Sequence, residues 1–313
     1  MPSAACSAEQ TGPTDATARR AAINTNHNEA EGMDALAFDL KTICDRNRDG
    51  SHATKANRHR MLQAMSRDLH QGGYRLPAAR SLKPKHAEFL VDRWQAQGLD
   101  AGTIKNRMSA LRWWAAKVNK ASVIPRDNGA LGIPDRQRGG ESRAQKLDLA
   151  KVAKVTCPRM QFSLRLMAAF GLRMEEALKI RPALADQGDR LALKASWTKG
   201  GRFREIPVLN DRQRALLQEA KQLAGNGSLI PPDKSYIQHR KAFEHHTLKA
   251  GFANLHGLRH NYAQWRYKAL TGRPCPKPSQ LTPAERFDDR EARRQIALEL
   301  GHNRLDVTRV YLG

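Results

Sequence analysis

The stretch LGHNRLDVTRVYLG, residues 300–313, does most to decide the fold of this chain. It places His302 and Tyr311 nine residues apart, on a segment that can form one helix or a helix and a turn. A lone tyrosine in such a position is usually an ordinary surface aromatic. Three upstream segments change this interpretation: FGLRMEEAL at 170–178, SWTKGGRFREIPV at 196–208 and LHGLRH at 255–260.

The upstream segments add cationic and imidazole side chains to this stretch. Cleavage of a phosphodiester by a side-chain nucleophile needs an attacking oxygen, cationic donors for the charge on the phosphoryl oxygens, and a proton for the leaving oxygen. A tyrosine, two arginines, a lysine and two histidines meet these needs, so no metal, ATP or other cofactor is predicted. The candidate catalytic set is Arg173, Lys199, His256, Arg259, His302 and Tyr311.

In these motifs and their order, the chain resembles the tyrosine recombinases, the phage-integrase family of DNA strand-exchange enzymes. The resemblance is strong over residues 145–313. It depends on the conjunction of the motifs, because H-x-x-R alone occurs by chance in many proteins. It implies a site-specific DNA recombinase, the integrase of a bacterial mobile element, which acts on double-stranded DNA as a homotetramer with accessory DNA-bending proteins.

The resemblance also implies a role for each candidate. Tyr311 would attack the phosphate and form a 3′-phosphotyrosyl intermediate. Lys199 would protonate the leaving 5′ oxygen as a general acid. Arg173 and Arg259 would bind the two non-bridging oxygens through planar, permanently charged guanidinium groups.

The motifs indicate less specific roles for their remaining polar side chains. His256 and His302 would hydrogen-bond the phosphate or help to move the tyrosine proton. Glu176 matches an acidic position that steadies the site in the family, and a helix salt bridge explains it equally well. His256 and His260 have the i, i+4 spacing of a metal pair, but without a third ligand or an H-E-x-x-H motif no metal site is predicted.

The charge of the chain fits a nucleic-acid partner. The sequence contains 54 Lys and Arg against 31 Asp and Glu, a formal net charge of +23. An excess of this size favours polyanions, although a merely soluble basic surface is the alternative. Aromatic residues make up only 6% of the chain, which disfavours a base-stacking single-strand binder and favours contacts to a duplex backbone.

Cysteine usage and hydropathy predict a cytoplasmic protein. The first thirty residues lack the continuous apolar run of a secretory signal, and no stretch approaches the roughly 18 apolar residues of a membrane span. A soluble intracellular protein is therefore expected, and the resemblance to integrases of bacterial mobile elements implies a bacterial, nucleoid-associated one. The cysteines contain no C-x-x-C pair, which disfavours a disulfide framework or zinc site and suits a reducing cytosol; they are Cys6, Cys44, Cys157 and Cys275.

The patterns predict a mainly α fold with a small antiparallel β-hairpin, divided into four parts. Residues 1–32 lack apolar periodicity and predict a disordered tail. Residues 33–120 contain four helical patterns and resemble the helical core-binding module of mobile-element integrases. Residues 121–145 are dense in Gly, Pro and charge and predict an exposed linker, and residues 146–313 predict the catalytic domain.

Four basic residues are candidate DNA contacts outside the catalytic set. On the last helical pattern of the core-binding module, Lys105, Arg107 and Arg112 interrupt the apolar stripe. These three either follow a DNA backbone or form a solvated helix face. Arg202 lies beside the candidate lysine of the hairpin. In the same module, Ser81 is a candidate N-cap for the third helix.

In the catalytic domain, a β-hairpin is expected between two groups of helices. Alternating apolar residues at 191–195 and 203–208 frame a turn at Gly200-Gly201, with Lys199 at its tip. Helices are predicted around 148–156, 160–181, 210–224, 235–250, 256–270 and 290–300.

Two features depart from the family pattern. Arg259 and His302 are 43 residues apart, and the Pro-rich, charged stretch 271–291 is expected to loop out between two helices. Only Leu312 and Gly313 follow Tyr311, where many members continue with a segment that docks on the next protomer.

Two alternative functions remain open: a type IB topoisomerase-like nicking-closing enzyme, and a non-catalytic DNA-binding protein of the same fold.

Overall fold

The computed structural model describes residues 34–135, 142–198, 200–275 and 281–312. They fall into two compact units, and the division of the chain lies between residues 137 and 138. The predicted mainly α fold with a small antiparallel sheet is confirmed. The predicted disordered tail 1–32 lies outside the described residues, as does Lys199.

The N-terminal unit, residues 34–135, is built on four α-helices whose apolar stripes meet in one core. The buried residues include apolar residues at helical spacing, among them Leu62, Met65 and Leu69 on the second helix and Ile104, Met108 and Trp114 on the fourth. The four helices are α1 Ala35–Arg46, α2 His52–Gln71, α3 Pro84–Ala96 and α4 Ala101–Lys117.

Helix α3 begins later than predicted. Ser81 does not cap it; the N-cap is Lys83, whose backbone N–H donates to Nδ1 of His86 at 3.1 Å. Pro84 occupies the first helical position, where its missing N–H costs nothing and its ring fixes a helical φ. A residue before proline is disfavoured in α conformation, so Lys83 and not Ser81 is the boundary.

Residues 121–135 differ from the exposed linker that their composition predicts. Ile124 and Ile133 are each only 3% exposed and belong to the core of the N-terminal unit. Gln95 Nε2 donates to the Gly132 carbonyl at 2.9 Å and holds the segment against α3. Two isolated isoleucines in a stretch rich in Gly, Pro and charge have no periodicity, so local pattern does not reveal this packing.

The C-terminal unit, residues 142–312, packs its helices around a second core of aliphatic and aromatic side chains. No helix among the described residues is both long and apolar enough to cross a membrane. The elements are α5 Leu149–Ala153, α6 Pro158–Phe170, α7 Met174–Lys179, α8 Pro182–Ala185, β1 Arg190–Leu193, β2 Arg204–Pro207, α9 Asp211–Ala224, α10 Tyr236–Lys249, α11 His256–Thr271, α12 Pro283–Glu299 and α13 Arg309–Leu312.

The single helix predicted at 160–181 is two helices, because α6 ends at Gly171. Gly171 has a left-handed backbone, φ 61°, which glycine adopts without steric cost. A Cβ at this position would lie 2.6 Å from Cδ1 of Tyr262 on α11. The break therefore needs a residue without a side chain, and it places Arg173 as the N-cap of α7.

Gly171→Ala is expected to destabilise the C-terminal unit more than Gly272→Ala does. Both positions have a left-handed φ, which costs alanine about 1–2 kcal/mol. Only Gly171 adds a clash with the buried Tyr262 ring, since nothing lies within 4 Å of a Cβ at Gly272. Overpacking of this kind typically costs a further ~1–3 kcal/mol. Urea unfolding of both variants measures the difference, and equal losses would show that Tyr262 moves aside freely.

The predicted hairpin forms, but its strands are short and its connection is long. β1 and β2 pair antiparallel, with Leu191 opposite Ile206 and Leu193 opposite Arg204. Ala195 lies outside β1, in a 3-10 turn that buries Trp197. The loop that follows therefore spans more than the tight Gly200-Gly201 turn expected from the sequence.

Helix α12 starts at Pro283, seven residues earlier than predicted, so much of the stretch 271–291 is helical. Thr282 caps it: its Oγ1 accepts from the backbone N–H of Glu285, whose side chain accepts from the Thr282 N–H at 2.8 Å. T-P-x-E is a capping box with proline at the first helical position. The high charge of the first turns hid this start signal, while residues 276–280 lie outside the description.

Candidate active site

Tyr311 is buried within its own C-terminal unit. After α12 the chain turns at Gly301, φ 68°, and reaches α13 through a 3-10 turn at Leu305–Thr308. His302 and Tyr311 are thus joined by two short helical turns, not by one helix. The tyrosine is 5% exposed, and its hydroxyl lies 3.3 Å from His302 Nε2 and 3.4 Å from His256 Nε2.

Arg259 completes the surroundings of this hydroxyl. It is 1% exposed, and its Nε donates to the Tyr311 hydroxyl at 3.4 Å. Nη1 donates to the Gly171 carbonyl at 2.5 Å and Nη2 donates to the Leu300 carbonyl. Burial, followed by the charge of Arg173, lowers the pKa of Arg259. The break after α6 and the turn after α12 thus each present a carbonyl that holds this guanidinium.

Arg173, the other candidate phosphate-binding arginine, is held in place by the buried carboxylate of Glu176. Glu176 is fully buried and accepts from the Arg173 backbone N–H at 2.7 Å and from Arg173 Nη1 at 2.8 Å. Arg204 Nη2 donates to the same carboxylate at 2.6 Å. Burial raises the pKa of Glu176, but the charges of Arg204 and Arg173 outweigh burial and lower it. Glu176 therefore forms both the helix salt bridge and the supporting contact considered from the sequence.

The two histidines beside Tyr311 are neutral at physiological pH. Desolvation, followed by the positive charge of Arg259, lowers the pKa of each imidazole to about 4. Arg173 lowers both further, and Arg204 also contributes at His302. A neutral imidazole can accept a proton, so both Nε2 atoms near the phenol are possible acceptors of its hydrogen.

These shifted pKa values predict that the C-terminal unit loses stability in mild acid. Between the ordinary pKa of 6.5 and the folded value of about 4, the unfolded chain binds protons that the folded site excludes, so stability falls as pH drops. His302→Gln removes one such group and should flatten the dependence. Urea unfolding at pH ~7.5 and ~5 measures it, with the exposed His245→Gln as control; identical slopes for both variants would contradict the prediction.

Two family matches agree with this arrangement of side chains. Residues 33–121 match the family described as phage integrase, N-terminal, and residues 138–265 match the family described as integrase. The chain belongs to the phage integrase family. It is therefore classed with the tyrosine site-specific recombinases, enzymes of DNA recombination. No curated protein matches its sequence significantly.

Solved structures of similar fold come from the same family. The Tn1549 transposon integrase, in complex with circular intermediate DNA, has a TM-score of 0.54 and 15% identity over 90% of this chain and 96% of its own. A lambda integrase dimer bound to a core site has a TM-score of 0.57 and 15% identity over 95% and 87%. The XerH recombinase bound to a palindromic substrate has 0.55 and 18% over 88% and 81%. At these identities the likeness establishes the fold alone.

Sequence reasoning did not consider Arg204 for this integrase site, and it considered His260 only as half of a metal pair. Arg204 is 6% exposed and bridges Glu176 and the Leu300 carbonyl; burial lowers its pKa to about 10, opposed by Glu176. His260 is 3% exposed, and its ring centroid lies 4.6 Å from that of Tyr311. The sequence did contain a signal for Arg204. This arginine lies two residues before Ile206, on the same face of β2, so it is expected to be buried with that residue. A buried arginine is rare unless it is paired with a carboxylate.

The hairpin loop of the integrase carries the remaining catalytic candidate, Lys199, which lies outside the described residues. Its neighbours form a turn in which Gly200 and Gly201 have left-handed φ values of 84° and 65°. Thr198 Oγ1 accepts from the Arg202 backbone N–H at 2.9 Å. The Arg202 side chain is exposed on this turn, and its contact with DNA stays a prediction.

The three candidate DNA contacts of the N-terminal unit all have intramolecular partners. Arg112 donates to the Pro125 carbonyl at 2.9 and 3.0 Å and to Asn128 Oδ1 at 2.9 Å, which holds the 121–128 segment. Lys105 pairs with Asp135 at 2.8 Å, and Arg107 approaches Asp68 at 3.8 Å. Contact between these residues and DNA stays a prediction, and the Arg112 bonds give that residue a structural task as well.

Proposed function

We propose that this integrase is a site-specific DNA recombinase that cuts and rejoins duplex DNA through a 3′-phosphotyrosyl bond at Tyr311. One observation carries the proposal above all others: the Tyr311 hydroxyl lies within 3.4 Å of Arg259 and of two histidine nitrogens. A phenol surrounded by a cation and proton acceptors is set up to become a nucleophile.

In the proposed cleavage step, the Tyr311 oxygen attacks phosphorus and the bond from phosphorus to the 5′ oxygen breaks. The phenolic proton passes to His302 or His256, both neutral at physiological pH. Lys199 gives a proton to the departing 5′ oxygen. The phosphotyrosyl bond retains the energy of the broken linkage, so a 5′ hydroxyl from a second strand restores a phosphodiester without ATP.

Arg173 and Arg259 would stabilise the negative charge that develops on the non-bridging oxygens. A guanidinium has five N–H donors. Nη2 of Arg259 donates to the Leu300 carbonyl and lies 3.3 Å from His302 Nε2, whereas Nη1 donates to the Gly171 carbonyl and keeps a second hydrogen for a phosphate. Preorganised donors in a water-poor site are the largest single contribution to many enzyme rates. In this proposal the two arginines and Lys199 do the work that a metal ion does in other nucleases.

The partners follow from charge and from the solved structures of similar fold. The chain has a formal net charge of +23, which favours association with a duplex. A lambda integrase tetramer is solved on a Holliday junction, with a TM-score of 0.51 and 16% identity over 95% of this chain and 90% of its own. By analogy we infer a homotetramer on double-stranded DNA, mobile-element integration, accessory DNA-bending proteins and a place in the bacterial nucleoid.

Two other functions have less support. A type IB topoisomerase-like nicking-closing enzyme would use the same chemistry, but residues 33–121 match an integrase N-terminal family. A non-catalytic DNA-binding protein would be expected to lose one of Arg173, Arg259 or Tyr311, and all three are present.

The experiment that tests the proposal is capture of covalent protein–DNA adducts under denaturing conditions, followed by sequencing of the attached DNA. Adducts that accumulate at one sequence would support a site-specific recombinase and identify its target. Adducts spread over random sequence would favour the topoisomerase-like function. A folded, DNA-bound protein that forms no adduct would favour the non-catalytic function.

A further inference from the structure

Arg204 shares a hydrogen-bond acceptor with each of the two candidate phosphate-binding arginines, Arg173 and Arg259. Its Nη2 donates to Glu176 Oε2 at 2.6 Å, and Glu176 also accepts from Arg173 at 2.7 and 2.8 Å. Its Nη1 donates to the Leu300 carbonyl at 2.8 Å, and the same carbonyl accepts from Arg259 Nη2. One buried side chain thus shares one acceptor with each of the two arginines.

Arg204 also connects three separate parts of the C-terminal unit. It is the first residue of β2, Glu176 lies on α7, and Leu300 is the C-cap of α12. The turn at Gly301 is shaped around it, since a Cβ there would lie 2.9 Å from Arg204 Nη1. The next residue after this turn is His302, a neighbour of the Tyr311 hydroxyl.

Removing Arg204 should disturb both arginines. Of the two arginines that bind Glu176, only Arg173 would remain. Of the two that bind the Leu300 carbonyl, only Arg259 would remain. A buried carboxylate needs its full set of donors, so Glu176 would be expected to draw Arg173 away from its present place. Misplacement of a catalytic group by about 1 Å can cost roughly 10²-fold in rate.

We propose that Arg204 is a positioning residue, which aligns Arg173 and Arg259 on the phosphate by fixing Glu176 and the Leu300 carbonyl. The inference rests on the proposed function of the site and adds to it a side chain that does not itself touch DNA. A competing role is to position Lys199, because Arg204 follows that lysine by five residues.

The test compares Arg204→Met and Arg204→Lys with a matched control, Arg293→Met. Arg293 is 8% exposed, against 6% for Arg204, and it pairs with Asp289 at 2.8 Å on α12. Its replacement also removes a buried, ion-paired arginine, but Arg293 does not bind Glu176 or Leu300. Urea unfolding establishes that each variant folds. If Arg204→Met does not fold, Arg204→Lys is compared with Arg293→Met in the same way.

The readout is single-turnover cleavage of a duplex that carries the phosphate cut by the wild-type protein, in three chemical forms. The first form is the natural phosphodiester. The second is a methylphosphonate, in which one charged non-bridging oxygen is replaced by a methyl group. Less negative charge then has to be stabilised by the arginines. The third has sulfur in place of the 5′ oxygen, which leaves without a proton and so needs no general acid.

Arg204→Met is expected to slow cleavage of the natural duplex roughly 10- to 100-fold, and Arg204→Lys less. The defect should shrink on the methylphosphonate and stay unchanged on the sulfur-substituted duplex, while Arg293→Met cleaves all three like the wild type. A defect relieved only by sulfur would assign Arg204 to Lys199 and overturn the proposal, as would equal defects on all three forms. If adduct capture with the wild-type protein identifies no such phosphate, the proposed function itself is refuted.

Discussion

Tyr311→Phe is expected to abolish covalent attachment to DNA while leaving DNA binding nearly intact. The phenolic oxygen is the proposed attacking atom, so its removal eliminates the reaction and does not merely slow it. One hydroxyl contributes little to an interface dominated by phosphate contacts. Denaturing gel electrophoresis with labelled duplex measures the adduct, and a mobility-shift titration measures binding.

Tyr236→Phe is a suitable control for this variant. Tyr236 begins α10, is partly buried and lies near Lys179, whose Nζ is 4.5 Å from its ring. It should form adducts at the wild-type rate. Adducts that persist in Tyr311→Phe would mean that another side chain is the nucleophile. Loss of DNA binding in the same variant would mean that the ring supports the fold and not only the chemistry.

Arg259→Ala is expected to reduce both the cleavage rate and the stability of the C-terminal unit. Loss of one preorganised charge donor typically costs ~10²–10³ in rate. The buried Gly171 carbonyl also loses its Arg259 donor, at about 1–3 kcal/mol for a group left unsatisfied, whereas the Leu300 carbonyl keeps Arg204 as a donor. Arg173→Ala should slow cleavage similarly and cost less stability, because Arg204 still pairs with Glu176.

Arg159→Ala separates these two effects. Arg159 also donates to two backbone carbonyls, those of Ser228 at 2.7 Å and Leu223 at 3.3 Å. Its loss should lower stability without changing the cleavage rate per folded molecule. Single-turnover cleavage and urea unfolding on the same preparations provide both quantities. If Arg259→Ala cleaved as fast as Arg159→Ala, Arg259 would be a structural arginine. The proposed mechanism would then lose one of the two guanidinium groups that bind the phosphate.

The helices were largely predictable because their signals are local. Apolar residues at helical spacing mark α2 and α4, and both proved to bury the expected stripes. The errors occurred where a single residue overrides the pattern. Gly171 divides one predicted helix in two, and the capping box at Thr282 starts α12 inside a stretch that looks like a charged loop.

The sequence motifs predicted that Arg259, His256, His302 and Tyr311 group together, as they do in the structure, but they did not predict the supporting contacts. His256 and Arg259 share the first turn of α11, so sequence spacing alone brings them together. Arg204 was not considered and His260 was considered only as half of a metal pair, because the importance of both depends on what surrounds them. A histidine or an arginine becomes part of a site only when distant segments bury it against Tyr311, Glu176 or Leu300.

By itself, the sequence determined which chemistry the chain can carry: a tyrosine, arginines and imidazoles in a set order, together with the helical periodicity of two units. Only the tertiary structure decided that Tyr311 lies buried among Arg259, His256 and His302 in its own unit. It also decided that both histidines are neutral, with pKa values of about 4. The reason is physical: residue types and periodicity are local properties, whereas burial and the charges that shift a pKa come from segments far apart in the chain.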